Sequence, residues 1–247
     1  MAAPVWRIAT AQSMGGRRTQ EDRQAMLRGR DGFPVLLAVC DGAGGHDDGE
    51  KAATAAIACL EKAFAGIGSA TAEDWLARSI KDADKAVAAL GTGPTAPRTT
   101  AVAALFDAEG RGAVAHVGDS RLYLLRGGTV EFRTRDHSVV QLLQDMGRLD
   151  EKEAATHPDR SRLLKALGGG DVAADVASLR LQPGDGLALC SDGVWEHVTA
   201  EQIGVALGNR ALDRAAEGLV AAAVKKGGRG ADNATLILAR WEEGKTG

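Results

Sequence analysis

Val35-Leu36-Leu37-Ala38-Val39-Cys40-Asp41-Gly42 is the stretch on which the fold turns. Six apolar residues run without a polar break and end on an Asp-Gly pair. A strand with one face in water alternates apolar and polar residues, whereas a strand covered on both faces need not. The run therefore reads as a buried strand that carries a carboxylate into a tight turn. Leu187-Ala188-Leu189-Cys190-Ser191-Asp192-Gly193 repeats the pattern far downstream. Acids at strand ends can converge in space although they are remote in sequence.

Outward from these two runs, Trp6 to Gln12 reads as a first strand, and Gly49 to Phe64 as an Ala-rich helix. Ala72 to Leu90 reads as a second helix, with Thr71 as N-cap and Glu73-Asp74 in its first turn. Thr99 to Asp107, Gly112 to Val117, Arg121 to Leu125 and Thr129 to Phe132 read as strands of an antiparallel meander, with hairpin turns at Glu109-Gly110 and Gly127-Gly128. Residues 136–170 are polar and partly helical and end in three glycines, which suits a surface excursion. Strands return at Asp175 to Leu181 and Gly186 to Ser191, around the turn Pro183-Gly184-Asp185. Thr199 caps a helix over Ala200 to Leu207, Ala211 to Lys225 forms another, and Ala234 to Trp241 closes with a strand. Strands and helices come in blocks and do not alternate. That order predicts an α+β fold: a four-layer α-β-β-α sandwich of two antiparallel sheets flanked by helices. No internal repeat or low-complexity linker interrupts the chain, so a single domain over 1–247 is expected.

The 247 residues suffice for a sizeable core, and 45% hydrophobic with 26% charged residues is ordinary for a soluble protein. A formal net charge of −3 does not favour nucleic acid or an anionic membrane as partner. No apolar run approaches the ~20 residues of a membrane helix. Val5 to Ala11 is short and broken by Arg7, unlike a signal peptide, so a cytoplasmic location is expected. Cys40, Cys59 and Cys190 form no C-x-x-C or zinc-type spacing and read as small hydrophobes.

Five acidic motifs carry the chemistry: Gln20-Glu21-Asp22-Arg23, Asp41-Gly42-Ala43-Gly44-Gly45-His46, Gly118-Asp119-Ser120-Arg121, Ser191-Asp192-Gly193 and Ala231-Asp232-Asn233-Ala234. Each alone is an ordinary turn; the third sits between two strands as a hairpin turn would. Together they offer hard oxygen ligands without cysteine or histidine at ligand spacing, which suits Mg²⁺ or Mn²⁺ and not zinc. Gly42 lets its backbone carbonyl approach a cation closely. Arg17-Arg18 stands just before Glu21-Asp22, and a guanidinium binds phosphate oxygens bidentately. Carboxylate sites holding two metals commonly cleave phosphate esters.

From about Ser13 to Ala239, the order and spacing of these motifs resemble the metal-dependent protein phosphatases of type 2C, especially the bacterial Ser/Thr phosphatases. Further matching motifs are Thr99-Thr100-Ala101, His116 to Arg121 with Tyr123, Thr134-x-Asp-His-Ser138, Arg162-x-x-x-Ala-Leu-Gly168, Gly184-Asp185 and Trp195-Glu196. The resemblance implies hydrolysis of protein phosphoserine and phosphothreonine by direct attack of a metal-bridging hydroxide, with two Mn²⁺ or Mg²⁺ ions in the core site and room for a third. It implies that Asp41 bridges two metals and that the Gly42 carbonyl and Glu21 serve one of them. Asp192 and Asp232 would complete the other, and Asp119 with Asp192 a third. Arg17 would bind the substrate phosphate, Asp22 would hydrogen-bond the metal-bound water, and 136–170 would be a flap beside the site. The implied partners are phosphoproteins made by a Ser/Thr kinase; a monomer is the default expectation, since the sequence shows no oligomer interface.

The chain departs from the family pattern at Ala43, where eukaryotic members carry a histidine, at Gln20, at Pro97-Arg98 and at Lys165. No implied ligand is lost. His46, His116, His137, His157 and His197 read as structural or positional residues. The competing readings are a catalytically silent regulatory module of the same fold and a phosphatase dedicated to an anti-sigma antagonist.

Overall fold

The computed structural model describes residues 2–43 and 48–244, so Gly44-Gly45-His46 lies outside the described residues. In chain order the strands are β1 (Ala2–Ser13), β2 (Arg23–Arg28), β3 (Val35–Cys40), β4 (Gly42–Ala43), β5 (Arg98–Thr99), β6 (Ala101–Phe106), β7 (Arg111–Val117), β8 (Arg121–Arg126), β9 (Thr129–Arg133), β10 (Asp175–Arg180), β11 (Gly186–Cys190) and β12 (Ala234–Gly244). The helices are α1 (Asp48–Ala65), α2 (Ala72–Ala88), α3 (Val139–Asp145), α4 (Glu151–Thr156), α5 (Asp192–Trp195), α6 (Ala200–Leu207) and α7 (Leu212–Gly227). Two five-stranded antiparallel sheets have the orders β1-β12-β11-β8-β9 and β10-β7-β6-β3-β2, and β4 pairs with β5.

The apolar runs explain the layering. Along β3, Val35, Leu37 and Val39 pack between the sheets, while Leu36, Ala38 and Cys40 face α1 and α2. Along β11, Leu187 and Leu189 face the other sheet, and Ala188 and Cys190 face α6 and α7. Both faces of each strand are dry, so both runs are continuous. Ala38, Ala103 and Ala115 of the sheet share one buried cluster with Ala52, Ala53 and Ala56 of α1, where small side chains permit close helix approach. Helix starts follow local chemistry: Thr71 accepts from the Asp74 N–H, and Thr199 and Gln202 form a reciprocal capping box. The four-layer sandwich is therefore the architecture.

Three local expectations change. The middle strands are not one meander. β6–β7 and β8–β9 are hairpins of different sheets, and Gly118-Asp119-Ser120 is the link between layers, not a hairpin turn. A three-residue link reaches ~10 Å, the spacing of packed sheets, so Gly118-Asp119-Ser120 is long enough to carry the chain from one sheet to the other. The strand expected over Thr99 to Asp107 breaks at Thr100, whose N–H leaves the ladder to bond the Asp41 carbonyl (2.8 Å). β2 was absent from the sequence reading: it is an edge strand with Arg at both ends and little apolar signal.

Leu37 is 0% exposed and Val205 78%. Leu37→Ala is expected to lower the unfolding free energy by about 2–5 kcal/mol, and Val205→Ala to stay within about 0.5 kcal/mol, both read by denaturant titration.

Candidate metal centre

Strand register gathers the acids at one edge of the sandwich. Arg23 pairs with Cys40, which puts Glu21-Asp22 beside Asp41. Cys190 pairs with both Arg121 and Leu236, which brings Ser191-Asp192 to the Asp119 link and to the start of β12. Ser13 pairs with Ala234, which lays the Arg17 loop against Asp232-Asn233. Glu21 joins at the start of α1: a side chain on Gly49 would place its Cβ 2.6 Å from Glu21 Oε2, and one on Gly42 would place its Cβ 2.1 Å from the Gly49 carbonyl. Glycine at both positions lets Glu21, Gly42 and the helix start pack together. All six residues expected as metal ligands thus lie in one region, with Asp22 beside them.

The electrostatics are those of crowded anions. Burial lifts the Asp22 carboxyl to about 6, helped by Asp232 and opposed by hydrogen bonds from Thr235 and Ser191. Burial, then the charge of Asp136, lifts Asp119 to about 7, with Arg121 opposing. Asp41 is raised well above its ordinary value by burial and then by Asp22, Asp192, Asp119 and Asp232. Asp192 is raised in the same way by burial and then by Asp119, Asp232, Glu196 and Asp22. Neighbouring like charges and lost hydration each favour the protonated form. Asp22 Oδ1 and Asp192 Oδ1 are buried without a hydrogen-bond partner among the described residues. Buried carboxylate oxygens without a partner are costly, and a divalent cation is the partner this all-oxygen donor set suits. The residues fit Mn²⁺ or Mg²⁺. Cys40 and Cys190 lie directly behind, fully buried, with the Cys190 thiol pushed up to about 12 by burial, so neither is a nucleophile.

Neutral side chains fix the acids in place. The Asp41 N–H donates to Thr100 Oγ1 (3.0 Å), Thr99 Oγ1 donates to the Asp41 carbonyl (2.9 Å), and Thr100 Oγ1 meets Ser120 Oγ at 2.7 Å. Ser191 Oγ donates to Asp22 Oδ2 (2.7 Å) and accepts from the Thr235 N–H (3.0 Å). Arg23 donates to the carbonyls of Gln20 (2.6 Å) and Asp22 (2.8 Å) and to Glu50 Oε1 (2.5 Å). The Trp195 indole N–H donates to the Asp119 carbonyl (2.9 Å), and its ring carries the Arg121 guanidinium 3.5 Å from the centroid. Arg121 in turn holds Asp136, the first flap residue, through two bonds of 2.9 and 2.6 Å. The positioning roles of Ser191, Asp136 and Asn233 are not visible in the sequence, because their partners lie far off in it and only the register reveals them.

Arg17 sits at the rim, with Nη2 2.5 Å from Asp232 Oδ2 and a 56% exposed side chain. The Pro97-Arg98 departure has a structural use: Arg98 Nη1 donates to the Gly168 carbonyl (2.8 Å), stitching the Thr99-Thr100 segment to the flap end. Lys165 pairs with Asp175 (3.0 Å).

A second cluster, His116, His137 and Asp175, has ligand atoms within 4.8 Å of one another. The two rings are stacked, 4.7 Å apart and 14° from parallel, so their in-plane lone pairs do not converge on one ion. His137 Nδ1 accepts from the Gly118 N–H (3.1 Å), which puts the ring proton on Nε2, toward Asp175 at 3.3 Å. His116 Nε2 bonds the Arg135 carbonyl (2.8 Å). Both histidines serve to fasten the flap base. His157 ends α4 and accepts from the Asp159 N–H (3.1 Å), and His197 takes Lys226 on its carbonyl (3.2 Å). None of these four joins the acid cluster.

The α-β-β-α sandwich gathers buried carboxylates fit for divalent metal at one edge, and comparison gives the family. Residues 16–226 match the family model for protein phosphatase 2C. The chain belongs to that family. It is 33% identical over 231 residues to the serine/threonine phosphatase stp of Listeria welshimeri, covering 90% of each chain. It superposes on the Mycobacterium tuberculosis serine/threonine phosphatase PstP/Ppp with a TM-score of 0.84 at 34% identity, covering 96% of this chain and 99% of that one. A structure of the PstP catalytic domain in complex with two manganese ions matches with a TM-score of 0.83 at 32% identity, covering 97% and 99%.

Asp22 and Asp119, ordinarily near 3.8, are raised to about 6 and about 7 in the folded chain. Stability from a raised carboxylate is complete below its unfolded pKa and is lost as pH rises through the folded one. Buried His137, shifted down, opposes this only where histidines titrate. Between about pH 5 and 7.5, chelator-treated protein should therefore melt at progressively lower temperature, levelling off at higher pH, and saturating Mn²⁺ should flatten that slope. Differential scanning fluorimetry across this range, with and without Mn²⁺, checks both signs.

Proposed function

We propose that this chain is a protein phosphatase that hydrolyses phosphoserine and phosphothreonine, using Mn²⁺ or Mg²⁺ held by its buried acids. The observation that carries the reading is the mutual crowding of Asp22, Asp41, Asp119 and Asp192, with the unpartnered Oδ1 atoms of Asp22 and Asp192. Such a cluster must be neutralised by protons or by cations, and its all-oxygen donor set suits a divalent cation. The ligand set is Asp41, the Gly42 carbonyl, Glu21, Asp192 and Asp232 for two ions, with Asp119 and Asp192 for a third. Bound there, the ions would supply charge stabilisation and a water acidic enough to react at neutral pH.

The chain's own groups do the rest. Arg17 keeps one guanidinium edge on Asp232 and presents its exposed remainder to phosphate oxygens. Asp22 is locked by Ser191 through Oδ2, which leaves Oδ1 as the open acceptor for a proton of the reacting water. Cys40 and Cys190 are buried and protonated, so no cysteinyl phosphate intermediate is formed. Residues 136–170 form the flap of a single domain spanning the chain, anchored by Asp136 and His137 at one end and by Gly168 at the other.

The substrates belong to a Ser/Thr kinase, and the enzyme works in the cytoplasm as a monomer, without nucleic acid or membrane as partner. No described helix is long and apolar enough to cross a membrane, and the modest negative charge is consistent with that setting.

The test is hydrolysis of p-nitrophenyl phosphate and of a phosphothreonine peptide, with and without Mn²⁺. Activity should require the metal. Asp192→Asn should lower it at least ~10³-fold, a loss of about 4 kcal/mol of transition-state stabilisation, with an unchanged circular dichroism spectrum. Folded wild-type protein that hydrolyses neither substrate with Mn²⁺ or Mg²⁺ would sink the reading and turn attention to a regulatory module. Asp119→Ala should raise the Mn²⁺ concentration needed for half-maximal rate, measured on the same substrates.

A further inference from the structure

Asn233 is 4% exposed and spends its whole carboxamide on one loop. Its Oδ1 accepts from the Glu21 N–H (2.7 Å), and its Nδ2 donates to the carbonyls of Met14 (2.9 Å) and Thr19 (3.0 Å). These partners stand 212 to 219 positions away in sequence. The Asn233 N–H donates to Asp232 Oδ1 (2.8 Å), so the same residue also orients the carboxylate that Arg17 touches.

Close backbone packing and a second set of hydrogen bonds hold the loop over 14–21 beside the Asn233 bonds. Gly15 has φ +62°, and a Cβ there would lie 2.2 Å from the Asp232 carbonyl; a Cβ on Gly16 would lie 2.3 Å from the Arg229 carbonyl. The Gly16 N–H donates to the Ala231 carbonyl (2.8 Å). The loop therefore lies flat on 229–233, with glycines where nothing larger fits. Arg17 rides on this loop. Its side chain is half exposed and is held at one edge by Asp232, so the reach of its guanidinium depends on where the loop holds its backbone. Asn233 bonds the loop on both sides of Arg17, at Met14 before it and at Thr19 and Glu21 after it. Only an amide gives two donors and an acceptor in this arrangement; a carboxylate would set oxygen against two carbonyl oxygens.

We propose that Asn233 is a positioning residue for substrate phosphate, acting through Arg17. The inference rests on the phosphatase reading above. Misplacement of a binding group by ~1 Å can cost about 10²-fold, and an exposed arginine recovers part of that by rotation. At saturating Mn²⁺, Asn233→Ala should raise KM for p-nitrophenyl phosphate, and the inhibition constant of inorganic phosphate, about tenfold, with kcat changed less than about threefold.

The decisive measurement is a double-mutant cycle with Arg17→Ala. If Asn233 acts through Arg17, the double variant should have the KM of Arg17→Ala alone. Effects that multiply, or a wild-type KM in Asn233→Ala, would overturn the proposal. Asn233→Asp keeps the volume and loses the donors, so it should reproduce the KM effect; it stands in if the alanine variant melts below the assay temperature. A wild-type KM in Asn233→Asp counts equally against the idea. Wild-type protein without metal-dependent activity would remove the phosphatase reading and this inference together. Active wild-type protein with unaffected variants would remove this inference alone.

Discussion

The repulsion among carboxylates at one edge of two packed sheets is the constraint on which the rest of the structure depends. Asp41, Asp119 and Asp192 each follow a fully buried stretch of strand, so none can move outward without dragging a core residue with it. The core residues Val39, Leu189 and Val117 stand two or three positions away from them, at 0% exposure. Packing energy thus holds the acids where their charges oppose one another, and a cation turns that opposition into attraction. Strain of this kind, supported by the surrounding fold, is what a functional site is expected to show.

Neutral hydrogen bonds make the arrangement specific. Thr99 and Thr100 clamp the Asp41 backbone, Ser191 clamps Asp22, and Asn233 clamps the Arg17 loop. Each of these groups lies on a different strand end from the acid it holds. The Arg121 guanidinium extends the scaffold outward: it stacks on Trp195, which bonds the Asp119 carbonyl, and it grips Asp136 at the flap base. The flap base and the Asp119 backbone are therefore joined by one continuous chain of contacts.

The layered fold was legible because it depends on local patterns. Continuous apolar runs at Val35 and Leu187 announced strands dry on both faces, and Thr71 and Thr199 announced helix starts. The link at Gly118 was misread because a hairpin turn and an interlayer link use the same residue types; only the partner strands distinguish them. β2 was missed because an edge strand need not be apolar. The acids were visible as motifs but ordinary one by one, and their order along the chain, matched to a family, marked them as a set. The residues that orient them were not legible. Asn233 looks like half of an Asx turn, and its bonds to Met14, Thr19 and Glu21 exist only once β1 and β12 are in register.

The central claim is that the crowded acids exist to hold divalent cations. Calorimetric titration of Mn²⁺ into chelator-stripped protein, in two buffers of different ionisation enthalpy, tests it most directly. Because Asp22 and Asp119 carry raised pKa values near 6 and 7, binding at neutral pH should release protons. At least two ions should bind per chain, and Asp41→Asn should abolish the tight phase. Absence of binding, or binding that Asp41→Asn leaves unchanged, would contradict the account.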